Sequence, residues 1–201
     1  MHVWRSRLDR WFAPMARRCP LSPNVITLLA LAVNVAAAVL LYRRLFFVAV
    51  ALLIVGGLAD AFDGIVARMQ GKASKYGDFL DHFADRVSDV LLATGWLLGN
   101  HVRLELTIGV IIGVLLNGYI GTQIEATWHQ RRYDAIGRGE FVLALVVFPI
   151  VSFILFDNGW DSLTYARLTI AEWMSVLLLA FAILGIAQRF ALARRLEDGR
   201  G

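Results

Sequence analysis

Hydrophobic and polar positions along this chain segregate into long blocks. Predominantly apolar runs occupy residues 25–42, 45–59, 106–120, 141–156 and 170–187, separated by short polar stretches. Several approach the roughly 20 residues that a helix needs to cross a bilayer. The pattern predicts helices over 23–42, 45–68, 77–100, 104–130, 139–157 and 166–190. The third is apolar only from Val90 onward, because its first half carries a series of aspartates. Ahead of these spans, Trp4, Leu8, Trp11, Phe12 and Met15 recur at helical spacing, opposed by Arg5, Arg7 and Arg10. That amphipathic helix fits two placements, in the plane of the membrane interface or against the protein's own cytoplasmic face. The expected fold is all-α: a polytopic membrane protein with six transmembrane helices and an N-terminal interfacial amphipathic helix.

Composition places the chain in the same class. Hydrophobic residues make up 58% of the 201 and mean hydropathy is +0.62, whereas a soluble domain is about 45–50% apolar even with glycine counted. The single Cys19 excludes an intrachain disulfide and a cysteine-only metal site. A net charge of +4 would suit nucleic acid in a soluble chain. In a membrane chain it reads as arginines facing anionic headgroups, and no nucleic-acid partner is expected. Arginines and lysines cluster at 5–18, 68–75, 131–138 and 189–200, while the alternate helix ends carry only Arg43, Arg44, Arg103 and Arg167. Positive residues stay on the cytoplasmic side, so both termini and the aspartate-bearing ends of the second and third spans belong there.

The aspartates change the picture from a membrane protein to a membrane protein with chemistry. Asp60, Asp63, Asp78, Asp81, Asp85 and Asp89 crowd one short segment. On helices Asp60 and Asp63 share a face, as do Asp81 and Asp85, and the polar turn at 71–76 brings the two pairs together. Four converging carboxylates raise one another's pKa unless a cation compensates. Oxygen donors without His or Cys point to Mg2+, Mn2+ or Ca2+. Gly64 and Gly77 let a ligand approach the backbone, and Arg68, one turn past Gly64, offers a fork suited to phosphate oxygens.

Two plainer readings compete. The acids could cap helices or pair with Arg68, Arg86 and Lys75, or they could serve a cation transporter. Acids within a membrane are usually functional, which disfavours the first, and a transporter gives no reason for Gly64, Arg68 and Gly77 at these spacings. Asp78 fits either a cap on the third helix or a ligand contact. Asp89 fits a partner for Arg86 or the wall of a polar cavity.

The array Asp60-x2-Asp63-Gly64-x2-Ala67-Arg68-x8-Gly77-x3-Asp81-x3-Asp85 resembles the signature of the CDP-alcohol phosphotransferase family at every defined position and every spacing. The six-helix layout extends the resemblance along almost the whole chain, and Pro23-Asn24-x2-Thr27 is similar to the segment opening the family's first span. The resemblance implies a phospholipid-synthesis enzyme that moves a substituted phosphate from a CDP-linked donor to an alcohol hydroxyl and releases CMP. It implies that Asp60, Asp63, Asp81 and Asp85 bind one or two ions of Mg2+ or Mn2+, with Asp85 also the general base. Asn24, Thr27, Asp63, Gly64, Ala67, Arg68, Gly77 and Asp78 are then expected around the nucleotide and diphosphate. A homodimer is expected as well, and Gly95, Gly99, Gly109 and Gly113 would permit the close helix packing it needs. The domains expected are a cytoplasmic amphipathic helix over 1–20, a six-helix transmembrane catalytic domain over 21–195 and a cytoplasmic tail over 196–201.

The motif leaves the substrates open. A phosphatidyl group, or its ether-lipid analogue, could pass from a CDP-lipid to a water-soluble alcohol or alcohol phosphate. A phosphoalcohol could instead pass from a soluble CDP-alcohol to a lipid or polyol. Arg131, Arg132 and Arg138 favour an acceptor that itself carries phosphate, such as inositol phosphate or glycerol phosphate, although positive-inside loops would contain them anyway. Arg138-Gly139-Glu140 resembles the start of the fifth span in members that use such acceptors, with Phe141 departing from their pattern. Arg189, Arg194 and Arg195 fall at the same surface. The expected location is the membrane (the cytoplasmic membrane in a prokaryote), with the active site on the cytoplasmic side.

Overall fold

The computed structural model describes residues 12–128 and 138–198. Helix α1 covers residues 12–18, followed by α2 (Pro23–Tyr42), α3 (Phe46–Met69), α4 (Lys75–Gly99), α5 (Leu104–Trp128) and α6 (Arg138–Asp157). A short antiparallel hairpin, β1 (Thr164–Tyr165) with β2 (Leu168–Thr169), then leads into α7 (Ile170–Glu197).

Local chemistry sets the boundaries. The Ser22 side chain accepts from the Val25 amide and Pro23 occupies the first turn, where its missing N–H costs nothing. Gly71, at φ +64°, makes the turn between α3 and α4. Helix α4 begins at Lys75 rather than 77 because Ser74 caps it, accepting from the Gly77 amide at 3.0 Å. Asp78 is therefore not the cap. Helix α7 starts four residues later than expected, at Ile170, because 164–169 form the hairpin; Thr169 and Glu172 then close a reciprocal capping box.

Among the described residues, five helices (α2, α3, α5, α6 and α7) are long and apolar enough to cross a membrane. Helix α4 is 25 residues long but carries the acids. It nevertheless lies alongside α2 from end to end and in the same direction: Gly77 faces Asn24, Ser88 faces Asn34, Gly95 faces Ala38 and Gly99 faces Leu41. A Cβ on Gly95 or Gly99 would overlap the carbonyl of Ala38 or Leu41, so these backbones touch. Gly109 and Gly113 lie against Leu179 and Ala182 of α7. All four glycines expected to serve a dimer thus pack within one chain instead.

The two ends of the bundle are tied differently. At the end away from the aspartates, Arg44 pairs with Asp161 at 2.9 Å and donates to the Gly99 carbonyl at 2.5 Å. Arg103 pairs with Glu172 at 2.7 Å and donates to the Arg167 carbonyl. At the aspartate end, Gln70 donates to the carbonyls of Ala16 and Cys19, both at 2.9 Å, and Phe12 meets Phe62 edge-on. Phe12 and Ala16 pack against the protein itself, while Met15 stays exposed; Trp4, Leu8 and Trp11 lie outside the described residues. Between the ends, buried Trp96 of α4 donates to Ser152 of α6 at 3.0 Å and packs on Phe148. The outward faces carry bare hydrocarbon, among it Phe47, Leu58 and Ile183, which suits lipid and not water.

Candidate active site

Helices α2, α3 and α4 assemble a polar site at one end of the bundle. From α3 come Asp60, half-buried, and Asp63, buried. From α4 come Asp81, half-buried, and Asp85, buried. Asp60 and Asp81 are the carboxylates whose charge Asp63 feels, so the two helices turn their acids toward each other. Asp81, His82 and Asp85 each offer a ligand atom within 4.8 Å of the others. His82 was missing from the oxygen-only donor set that the spacing suggests. Its cue was adjacency to Asp81 and a four-residue step from Asp78, whose carboxylate lies 3.8 Å from its Nε2. This donor set fits a divalent cation, its carboxylates suiting Mg2+ or Mn2+.

The residues expected around a nucleotide separate into two groups. Thr27 is engaged with the acids, since its hydroxyl donates to Asp63 Oδ2 at 2.5 Å while lying 3.1 Å from the Pro23 carbonyl. Asn24 stands over Gly77: a Cβ there would come within 3.2 Å of both Asn24 Oδ1 and Ser74 Oγ, so glycine keeps this corner open. Arg68 folds back over Gly64, where a Cβ would lie 3.3 Å from Nη1. Gly64, Ala67 and Arg68 thus form one exposed-to-half-buried ledge beside Asp63. Asp78 is exposed at the first turn of α4.

A second polar cluster lies against α5. Asp89 is buried and pairs with Arg86 at 3.3 Å, the partner its spacing suggested. A side chain on Gly118 would overlap the Arg86 guanidinium, and one on Gly121 would press on Arg189. Arg189 Nη1 donates to both the carbonyl and Oδ1 of Asn117. Arg189 is partly buried and feels the charges of Arg86 and Glu140. Of the cations expected to meet an acceptor phosphate, Arg131 and Arg132 lie outside the described residues, and Arg138 opens α6.

Comparison with known proteins gives consistent matches. The profile of the family described as CDP-alcohol phosphatidyltransferase matches residues 20–184. An archaetidylinositol phosphate synthase from Pyrococcus horikoshii is 36% identical over 128 residues, which span 63% of this chain and 68% of that protein. The fold matches the crystal structure of the Mycobacterium tuberculosis phosphatidylinositol phosphate synthase with CDP-DAG bound: TM-score 0.71, 23% identity, 92% of this chain and 94% of that one. The same enzyme in complex with manganese and citrate matches with TM-score 0.70 and 23% identity over 94% and 88% of the two chains.

Proposed function

The chain belongs to the CDP-alcohol phosphatidyltransferase family of integral membrane enzymes, and from that premise we propose that its donor is a CDP-linked lipid and its acceptor inositol phosphate. One observation carries the reading: the acids of α3 and α4 face each other beside the Arg68–Gly64 ledge, while a second cluster, Arg86 and Arg189 with Asp89 and Glu140, lies against α5. A diphosphate and a phosphorylated acceptor need two such sites, and a neutral alcohol would need only the first. The similar proteins, both named as inositol phosphate lipid synthases, support the same acceptor.

In this reading Asp60, Asp63, Asp81 and Asp85, with His82 beside them, hold one or two ions of Mg2+ or Mn2+. A divalent ion there would neutralise charge on the diphosphate and on departing CMP. Asn24 and Gly77 receive the nucleotide end, and Arg68 binds diphosphate oxygens through its fork. The acceptor hydroxyl attacks the lipid-bearing phosphorus, the bond from that phosphorus to the CMP oxygen breaks, and the hydroxyl proton passes to Asp85. Burial keeps Asp85 away from water, which favours its action as a base. Arg189 and Arg86, presented on Asn117, Gly118 and Gly121, meet the acceptor phosphate, and Arg131, Arg132 and Arg138 stay candidates for it by their sequence positions alone.

The same proposal extends to placement. Helix α4 shadows α2 over its whole length, which supports six spans, and the arginine distribution supports cytoplasmic termini and a cytoplasmic active site. The division into 1–20, 21–195 and 196–201 and the homodimer remain part of the proposal, the dimer resting on family resemblance alone.

The test is direct. Purified protein is incubated with labelled CDP-diacylglycerol or its archaeal ether analogue and, in turn, inositol 1-phosphate, inositol, glycerol 3-phosphate and serine. The expected result is CMP release with a lipid product that contains inositol phosphate. Product formation only from a soluble CDP-alcohol and a lipid acceptor would reverse the assignment of donor and acceptor.

A further inference from the structure

A polar node lies below the carboxylates. Asn34 of α2, only 9% exposed, sits in a stretch otherwise built of alanine, valine and leucine. Its Nδ2 donates to Ser88 Oγ of α4 at 3.1 Å, and Ser88 is buried too. On the other side its Oδ1 occupies the space that a Cβ on Gly56 of α3 would take. One amide therefore touches both acid-bearing helices at once.

The positions it touches are not arbitrary. Gly56 lies four residues before Asp60, and Ser88 three residues after Asp85, so each shares a helix face with the acids. The node sits about one turn, roughly 5 Å, beneath the site. Apolar helix surfaces in lipid have little to fix their relative height, because the surrounding chains are as apolar as the contact. A single buried amide with one correct partner does fix it, as buried asparagines set register in coiled coils. Gly56 fits this role and no other evident one: mid-helix alanine is the better helix former, and neighbouring Gly57 has nothing within 4 Å of its missing side chain.

We propose that Asn34, wedged between Gly56 and Ser88, is a positioning residue that sets the height of α3 against α4 and so brings Asp60 and Asp63 into register with Asp81 and Asp85 for a shared cation. The inference rests on the reading of those acids as a metal site, and its test keeps the two apart. Mn2+ binding to the full-length protein in detergent is followed, without substrate, through the electron paramagnetic resonance signal of free Mn2+. Gly56→Ala and Asn34→Ala should each weaken binding about tenfold or more, the scale of a lost outer-shell partner. Gly57→Ala should bind as the unaltered protein does, and Asp81→Asn should not bind at all. Ser88→Ala, which deletes only the hydroxyl that Asn34 meets, should shift binding in the same direction, and it decides the matter if Gly56→Ala does not fold. Unchanged Mn2+ affinity in Asn34→Ala and Ser88→Ala, with binding lost in Asp81→Asn, overturns the positioning role alone. Unchanged affinity in Asp81→Asn overturns the metal reading beneath it.

Discussion

Thr27 and Asp63, 36 residues apart in the chain, are joined by a buried 2.5 Å hydrogen bond from the threonine hydroxyl to Oδ2 of the carboxylate. The bond links α2 to the acid cluster. A hydrogen bond to a charged group contributes about 1.5–3 kcal/mol. Thr27→Val keeps the shape and removes the donor, so Mn2+ affinity should fall by about ten- to a hundredfold. Thr27→Ser should retain most of it. Metal titration of CMP release in both variants checks this; a normal metal response in Thr27→Val would leave the bond with no part in holding the ion.

Donor binding and proton transfer should separate cleanly between two residues. Asp85→Asn keeps volume and hydrogen bonding but removes the base, so kcat should drop by about 10²–10⁴-fold, or further if the ion is also lost. Donor binding should survive. Arg68→Ala removes a charge-assisted contact of about 1.5–3 kcal/mol, so donor affinity should fall by about ten- to a hundredfold or slightly more, with acceptor KM changed less. Calorimetry of donor binding alongside CMP release distinguishes the two. Normal turnover in Asp85→Asn would move the base elsewhere, with His82 and Asp81 the titratable neighbours in reach.

What could be read in the sequence was whatever depends on neighbours along the chain. The bounds of α2 follow from Ser22, Pro23 and the arginines after Tyr42, and the convergence of α3 and α4 follows from the turn at Gly71. The capping box at Thr169 and Glu172 was legible as a pattern, and it would have moved the start of α7 to its observed place. Contacts between distant segments were not legible. Nothing near Thr27 announces Asp63, and Asn34 reads as an ordinary polar interruption until Gly56 and Ser88 are seen on either side. The glycines of α4 and α5 show the same limit, since small residues advertise close packing but not the partner.

Topology offers a test independent of chemistry. In a Cys19→Ser background, Lys72→Cys lies in the exposed turn at the aspartate end, and Asn158→Cys lies exposed at the other. An impermeant thiol reagent applied to sealed vesicles should label the two from opposite sides, Lys72→Cys from the cytoplasmic face. Labelling of both from one side would mean that α4 does not cross the bilayer, since α4 is the helix whose acids keep it short of the apolar character of the other five.

The acceptor phosphate is the part of the proposal that depends most on charge. Arg86 and Arg189 feel one another across the face of α5, and like charges in a partly desolvated setting repel more strongly than in water. Asp89 and Glu140 offset part of that repulsion, and an incoming phosphate would offset more. Asn117 holds Arg189 through two acceptors, so the guanidinium is already in place when the anion arrives. Arg189→Ala should therefore raise the KM for inositol phosphate by about ten- to a hundredfold, the scale of one charge-assisted contact. Donor affinity should not change. Asn117→Ala should give a smaller rise, because the charge remains but is less well held. Arg194→Ala, exposed near the end of α7, should leave KM alone. The decisive comparison uses inositol beside inositol phosphate: loss of Arg189 should narrow the preference for the phosphorylated acceptor, not depress both equally. Equal depression would assign Arg189 to folding, and the cations of residues 131–138 would then become the place to look for the phosphate.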